Sequence, residues 1–102
     1  MEINITFRHT EPSDVLKTHI HERIEKLSKY FIKPIIAHVT LNAEKSEILA
    51  EISLAENHNV FNAHERSHDL KMAFDVASHK IESQLKKHKE KVKDHHKKHH
   101  RI

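Results

Sequence analysis

Apolar and polar positions along the chain keep two different periods, and the switches between them divide it into six elements. Glu2 to Arg8 alternates Ile3, Ile5 and Phe7 with Glu2, Asn4, Thr6 and Arg8, the period of a half-buried strand. From Asp14 to about Lys29 the period lengthens. Leu16, Ile20, Ile24 and Leu27, flanked by Val15 and Phe31, recur every three or four residues and predict an amphipathic helix. Ser13 is placed to cap it, Asp14 suits its positive end, and Pro12 marks its boundary. Pro34 disfavours helical geometry at Lys33.

Period two then returns. Ala37, Val39, Leu41 and Ala43 share one face of a strand spanning Ile35 to Ala43, with His38, Thr40 and Asn42 on the other. The polar run Glu44 to Glu47 reads as a hairpin turn without the usual Asn-Gly or Asp-Gly pair. Ile48, Ala50, Ile52 and Leu54 alternate with Leu49, Glu51 and Ser53. A turn near Glu56 to His58 leads to a short strand around Asn59 to His64, with Phe61 and Ala63 inward and Val60 out of pattern. Glu65 to His68 connects to a last helix capped by Ser67 or Asp69.

That helix, Asp69 to about Val92, carries the stripe Leu70, Ala73, Phe74, Ala77, Ile81 and Leu85, and spans roughly 35 Å at 1.5 Å per residue. Beyond Lys86 the stripe thins to His88 and Val92, and lysines take over. The order β-α-β-β-β-α predicts an α+β fold, a four-stranded sheet with two helices packed on one face. Short connections between successive strands favour antiparallel pairing. His38, Thr40, Asn42, Glu51 and Ser53 are expected on the open face. Residues 1–92 read as one domain. Residues 93–102, KDHHKKHHRI, read as a basic His/Lys-rich tail expected to be disordered.

Composition narrows the chemistry. The 102 residues fit one domain, and a hydrophobic content of 36% implies a small core. With no cysteine there are no disulfides, zinc thiolates or thiol nucleophiles. With no glycine there is neither a P-loop nor a dinucleotide-binding turn. No apolar run approaches a membrane span, and the N-terminus lacks a signal-peptide layout, so a cytoplasmic protein is expected, with no membrane partner. No motif fixes a nucleophile or prepares an oxyanion site, so the chain does not read as an enzyme, and neither a cofactor nor a small-molecule substrate is expected.

Charge is unevenly distributed. Residues 86–102 hold eight Lys/Arg and two acids, a balance of +6, whereas residues 1–85 balance at −3. A basic end on a mildly acidic body points to a polyanion. The helix faces offer Arg23, Lys26, Lys29, Lys80, Lys86, Lys87, Lys89 and Lys91, which converge into one patch if the helices lie side by side. Such cations hold phosphates without reading sequence. With only Tyr30 and Phe31 near the basic side, structured RNA fits better than stacked single strands. The basic end also admits a solubilising tail as its reading, and thirteen histidines admit a histidine-rich metal binder. His95/His99 and His96/His100 have the i,i+4 spacing that puts two imidazoles on one helix face, although four ligands make a closed zinc site and the neighbouring lysines repel cations.

The segments SDVLKTHIHERIEKLSKYF and HDLKMAFDVASHKIESQLKKHKEKVKDHH resemble the ribosome hibernation promoting factor family, which includes the ribosome-associated translation inhibitor. The resemblance covers residues 1 to about 95. It is most specific at the R-x-x-K-L-x-K run of Arg23, Lys26, Leu27 and Lys29, and at the D-M-Y-x-A-I-D opening, present here as Asp69 to Asp75. The later K-L-x-x-Q-L-x-K-H-K pattern appears from Lys80 to Lys89. The resemblance implies a layout related to double-stranded RNA-binding domains. It also implies binding to the small ribosomal subunit and its ribosomal RNA, in the channel used by mRNA and tRNA, with translation inhibited in stationary or stressed cells. Basic residues of both helices would then face ribosomal RNA. The sequence departs from the pattern at Lys71, where the family has Tyr, and at Ser83, where Arg is common. The short basic end resembles the family's short form.

Overall fold

The computed structural model describes the backbone of residues 1–100 and the side chains of residues 1–89. Strand β1 (Glu2–Arg8) is followed by helix α1 (Asp14–Leu27), a 3-10 turn (Ser28–Tyr30), strands β2 (Ile36–Glu44), β3 (Glu47–Glu56) and β4 (Asn59–Ser67), and helix α2 (Leu70–His100). The predicted α+β order is therefore the observed one. The sheet order is β1-β2-β3-β4, with the helices packed against one face. No helix among the described residues is long and apolar enough to cross a membrane.

Local signals set the boundaries. Ser13 Oγ accepts the Leu16 N–H at 3.2 Å, so α1 starts where the sequence caps it. The α-helical part stops at Leu27, and the 3-10 turn tightens the chain before it extends at Phe31. Of the two candidate caps for α2, Asp69 is the one used. Its Oδ2 accepts the Met72 N–H at 2.9 Å and its carbonyl accepts the Ala73 N–H at 2.9 Å. In a chain without glycine, the left-handed positions fall to His9, Lys45 and Asn57, with φ of 58°, 53° and 52°. Lys45 and Asn57 each open a two-residue hairpin turn, and Asn tolerates that region better than most residues.

Strand directions follow the connections, and one strand boundary is corrected. β1 pairs with β2 in parallel, Glu2 opposite Ile36 through Arg8 opposite Asn42, because α1 carries the chain back across the sheet before β2 begins. β2-β3 and β3-β4, joined by two-residue turns, are antiparallel as their short connections predict. The last strand is also longer than its apolar alternation suggests. β4 pairs with almost all of β3, from Glu56 opposite Asn59 to Ile48 opposite Ser67. Its final residues are held by ladder bonds and by Arg66 against Glu44 at 3.6 Å.

The core lies between helices and sheet. Leu16, Ile20, Ile24 and Leu27 of α1 and Ala73, Phe74, Ala77, Ile81 and Leu85 of α2 meet Val39, Leu41, Ile52 and Leu54. Each set is the stripe its periodicity predicts. On the open face His38 and Glu51 are exposed and Thr40, Asn42 and Ser53 half-buried. Val60 points the same way, which explains its misfit. The free edge of β4 is covered by α2: Lys80 Nζ donates to the His64 carbonyl at 3.3 Å, and Gln84 Nε2 to the Asn62 carbonyl at 2.8 Å.

Candidate nucleic-acid interface

The two helices are tied by polar contacts that repeat along their shared flank. On α1, His19, Arg23 and Lys26 are spaced i, i+4, i+7 and form one row. His19 Nε2 meets Asp75 Oδ1 at 2.7 Å, while its ring sits edge-on to Phe74 at 5.8 Å. Lys71 Nζ reaches the other Asp75 oxygen at 2.9 Å. Desolvation pushes the Asp75 carboxyl up, but these two hydrogen bonds outweigh it and hold it below its ordinary value.

One turn further on, Arg23 donates from Nε to Ser78 Oγ at 3.1 Å and from Nη2 to Glu82 Oε1 at 2.7 Å. Ser78 is buried, and its hydroxyl donates a hydrogen bond to the Asp75 carbonyl at 2.9 Å. The Tyr30 hydroxyl donates to the second Glu82 oxygen at 3.0 Å. Hydrogen bonding to Arg23 holds the Glu82 carboxyl below its ordinary range against the opposing effect of desolvation, and Tyr30 and Lys86 act in the same direction as Arg23. The Tyr30 phenol is pushed up by burial and by its bond to this carboxylate, so it remains a donor.

Around this hub the predicted cations separate into two groups. Lys29 and Lys89 place their ammonium groups 5.8 and 6.0 Å from the centre of the Tyr30 ring, within cation–π range. Lys86 lies near Glu82, and Lys26 continues the Arg23 row; both are exposed. Lys26, Lys29, Lys86 and Lys89 therefore share one side of the molecule with Arg23, which is largely buried between the helices. Lys80 and Lys87 do not join them. With Gln84 they make the i, i+4, i+7 row on the opposite flank of α2, and Lys80 is engaged by Glu65 as well as by the His64 carbonyl. The expected single patch is thus divided, because the buried stripe of α2 runs between the two rows. Lys91, the candidate metal ligands His95, His96, His99 and His100, and the proposed 93–102 tail lie outside the described side chains. Among the described residues no group of three or more His, Asp or Glu is placed to hold a metal.

Tyr30 and Phe31 are joined near the cations by rings that are distant in the sequence. The fold adds Phe61 and His88: Phe31 meets Phe61 edge-on at 5.8 Å, and Phe61 meets His88 at 5.4 Å. The signal for His88 was its position on the stripe after Ile81 and Leu85. For Phe61 it was an inward strand position.

The chain matches the family described as sigma 54 modulation protein / S30EA ribosomal protein over residues 3–93. It is similar to the ribosome hibernation promotion factor of Rhizobium meliloti (strain 1021), 33% identical over 98 residues, covering 94% of this chain and 52% of that protein. The ribosome hibernation promoting factor of Escherichia coli (strain K12) is 30% identical over 95 residues, covering 93% of this chain and 100% of that protein. The chain thus spans about half the length of the first relative and all of the second. Among solved structures, the N-terminal domain of Thermus thermophilus Protein Y superposes with a TM-score of 0.77 at 25% identity, over 85% of this chain and 98% of that one. A ribosomal subunit interface protein from Coxiella burnetii has the same fold, with a TM-score of 0.74 at 23% identity, over 87% of this chain and 98% of that one.

Proposed function

The chain belongs to the sigma 54 modulation protein / S30EA ribosomal protein family, and from that premise we propose that it is a non-enzymatic ribosome hibernation factor. It binds the small ribosomal subunit through ribosomal RNA and occupies the channel used by mRNA and tRNA. Translation stops by steric exclusion, in the cytoplasm of stationary or stressed cells. The observation that carries this reading is the meeting of cations from both helices at one place. Lys29, beside α1, and Lys89, on α2, flank the same Tyr30 ring, with Lys26 and Lys86 alongside. Lysines held this way bind phosphate at low cost, because the Arg23–Glu82–Tyr30 hub fixes the helices that carry them. Lys80 and Lys87 act from the other flank, as secondary contacts.

Sedimentation with purified small subunits tests the proposal. Binding at low salt that weakens steeply as salt rises, and that excludes mRNA and a tRNA anticodon stem, is the expected result. Absence of co-sedimentation, or binding indifferent to salt, would overturn it. Equal affinity for a bare RNA duplex and for the small subunit would replace it with a general reader of structured RNA.

A further inference from the structure

Next to the lysine cluster, the 3-10 turn, the adjoining ends of β3 and β4, and α2 enclose an open groove of about 450 Å³, within the size range of small-ligand sites. Its walls are mainly apolar and aromatic: Tyr30, Phe31, Phe61 and His88, with Ile32 fully exposed at the lip. Polar groups sit at the rim, with Lys29 and Lys89 around Tyr30, and Glu56 and Asn59 contributed by the paired ends of β3 and β4. Ile32 is open to water, and the half-buried Tyr30, Phe31 and Phe61 behind it leave an apolar surface that solubility does not require.

We infer that this groove takes one unpaired nucleotide of an RNA strand. The base lies against the Phe61–Phe31 ring pair, its phosphate meets Lys29 and Lys89, and its hydrogen-bonding edge faces Glu56 and Asn59. The charge pattern sets this orientation: a phosphate is drawn to the two ammonium groups and repelled by the carboxylate. A carboxylate accepts hydrogen bonds from exocyclic amino groups, so cytosine, adenine and guanine are favoured over uracil, which has none. Stacking on side chains with hydrogen bonding at the base edge is how proteins read splayed-out RNA bases. The inference deepens the ribosome-binding proposal and rests on it for the source of the RNA. It makes the surface more than a phosphate grip, because the rings add a contact that salt does not screen.

The test uses the full chain and NMR of its ring resonances. Tyr30 is the sole tyrosine and the chain has no tryptophan, so its signals assign without ambiguity. Oligocytidine should shift Tyr30, Phe31 and Phe61 saturably, and oligouridine several-fold more weakly. Phe61→Leu keeps apolar bulk without a ring and should cost roughly tenfold in oligonucleotide affinity. Glu56→Gln, which removes the carboxylate and keeps its shape, should reduce the preference for cytidine over uridine. Unmoved ring signals, or a Phe61→Leu variant that binds like the parent, would overturn the inference. Shifts that follow protein concentration instead of RNA would assign the groove to self-association and also overturn it. If the small subunit co-sediments while the rings stay silent, the groove assignment fails and the ribosome reading stands. If the rings respond but the subunit is not bound, the groove assignment stands without the ribosome.

Discussion

Glu82 is the residue on which the helix pair depends most. It accepts from Arg23 and Tyr30 at once, and its side chain is only 19% exposed, so few waters are available to replace a lost partner. Glu82→Gln keeps the shape but removes the charge that strengthens both bonds, and should destabilise the protein by about 1–3 kcal/mol in urea unfolding. The same site gives stability a pH dependence. The folded-state carboxyls of Glu82 and Asp75 both lie below their ordinary values, so the stability they contribute is present above the ordinary carboxylate range. It is lost as pH falls through the lowered folded values, where the folded state must take up protons. Unfolding midpoints should therefore drop on the acid side of pH ~4, and Glu82→Gln should flatten that drop. None of this was legible in the sequence. Arg23 and Glu82 are 59 positions apart, and the chain holds 18 basic and 15 acidic residues from which to choose partners. Burial leaves a periodic trace, which is why Phe74 and Ile20 could be placed in the core. Charge pairing leaves none.

Helix α2 serves three neighbours at once, and its spacing shows how. The buried stripe meets the sheet, the Glu82–Lys86–Lys89 row faces α1 and the 3-10 turn, and the Lys80–Gln84–Lys87 row borders β4. The last of these changes how Lys80 is understood. A lysine on a basic helix reads as a phosphate contact, yet here it closes a strand edge, and the sequence carried no hint that β4 would be the outer strand on that side. The double variant Lys80→Ala/Gln84→Ala should leave the Asn62 and His64 carbonyls without their side-chain donors. Light scattering at high protein concentration should show more self-association than the parent, since an uncovered edge is a template for pairing. Its salt dependence of subunit binding should change little. If the slope falls as far as for lysines near Tyr30, Lys80 is chiefly an RNA contact. The order of the elements was legible because period two and period 3.6 are distinct signals. The parallel direction of β1 was not, because periodicity shows which face is buried and says nothing of the neighbour's direction.

Under the proposed function, the electrostatic work falls to one side of the molecule. Lys26, Lys29, Lys86 and Lys89 are exposed, sit around a locked hub, and take no part in the buried core, so replacing them should affect binding far more than folding. Surface substitutions of this kind usually change stability by less than about 0.5 kcal/mol each. Each phosphate contact removed lowers the slope of log affinity against log salt by about 0.7–0.9. The quadruple alanine variant should therefore unfold close to the parent midpoint while losing a slope of about three in small-subunit binding. Lys80 and Lys87 provide the matched comparison on the same helix, and removing both should cost less per lysine. Equal losses per lysine from the two flanks would mean that RNA wraps α2 on both sides of its buried stripe. The interface would then extend around the helix instead of centring on Tyr30. Loss of binding with an unchanged salt slope would instead place the energy in the aromatic groove, because stacking of bases on rings is insensitive to counterions.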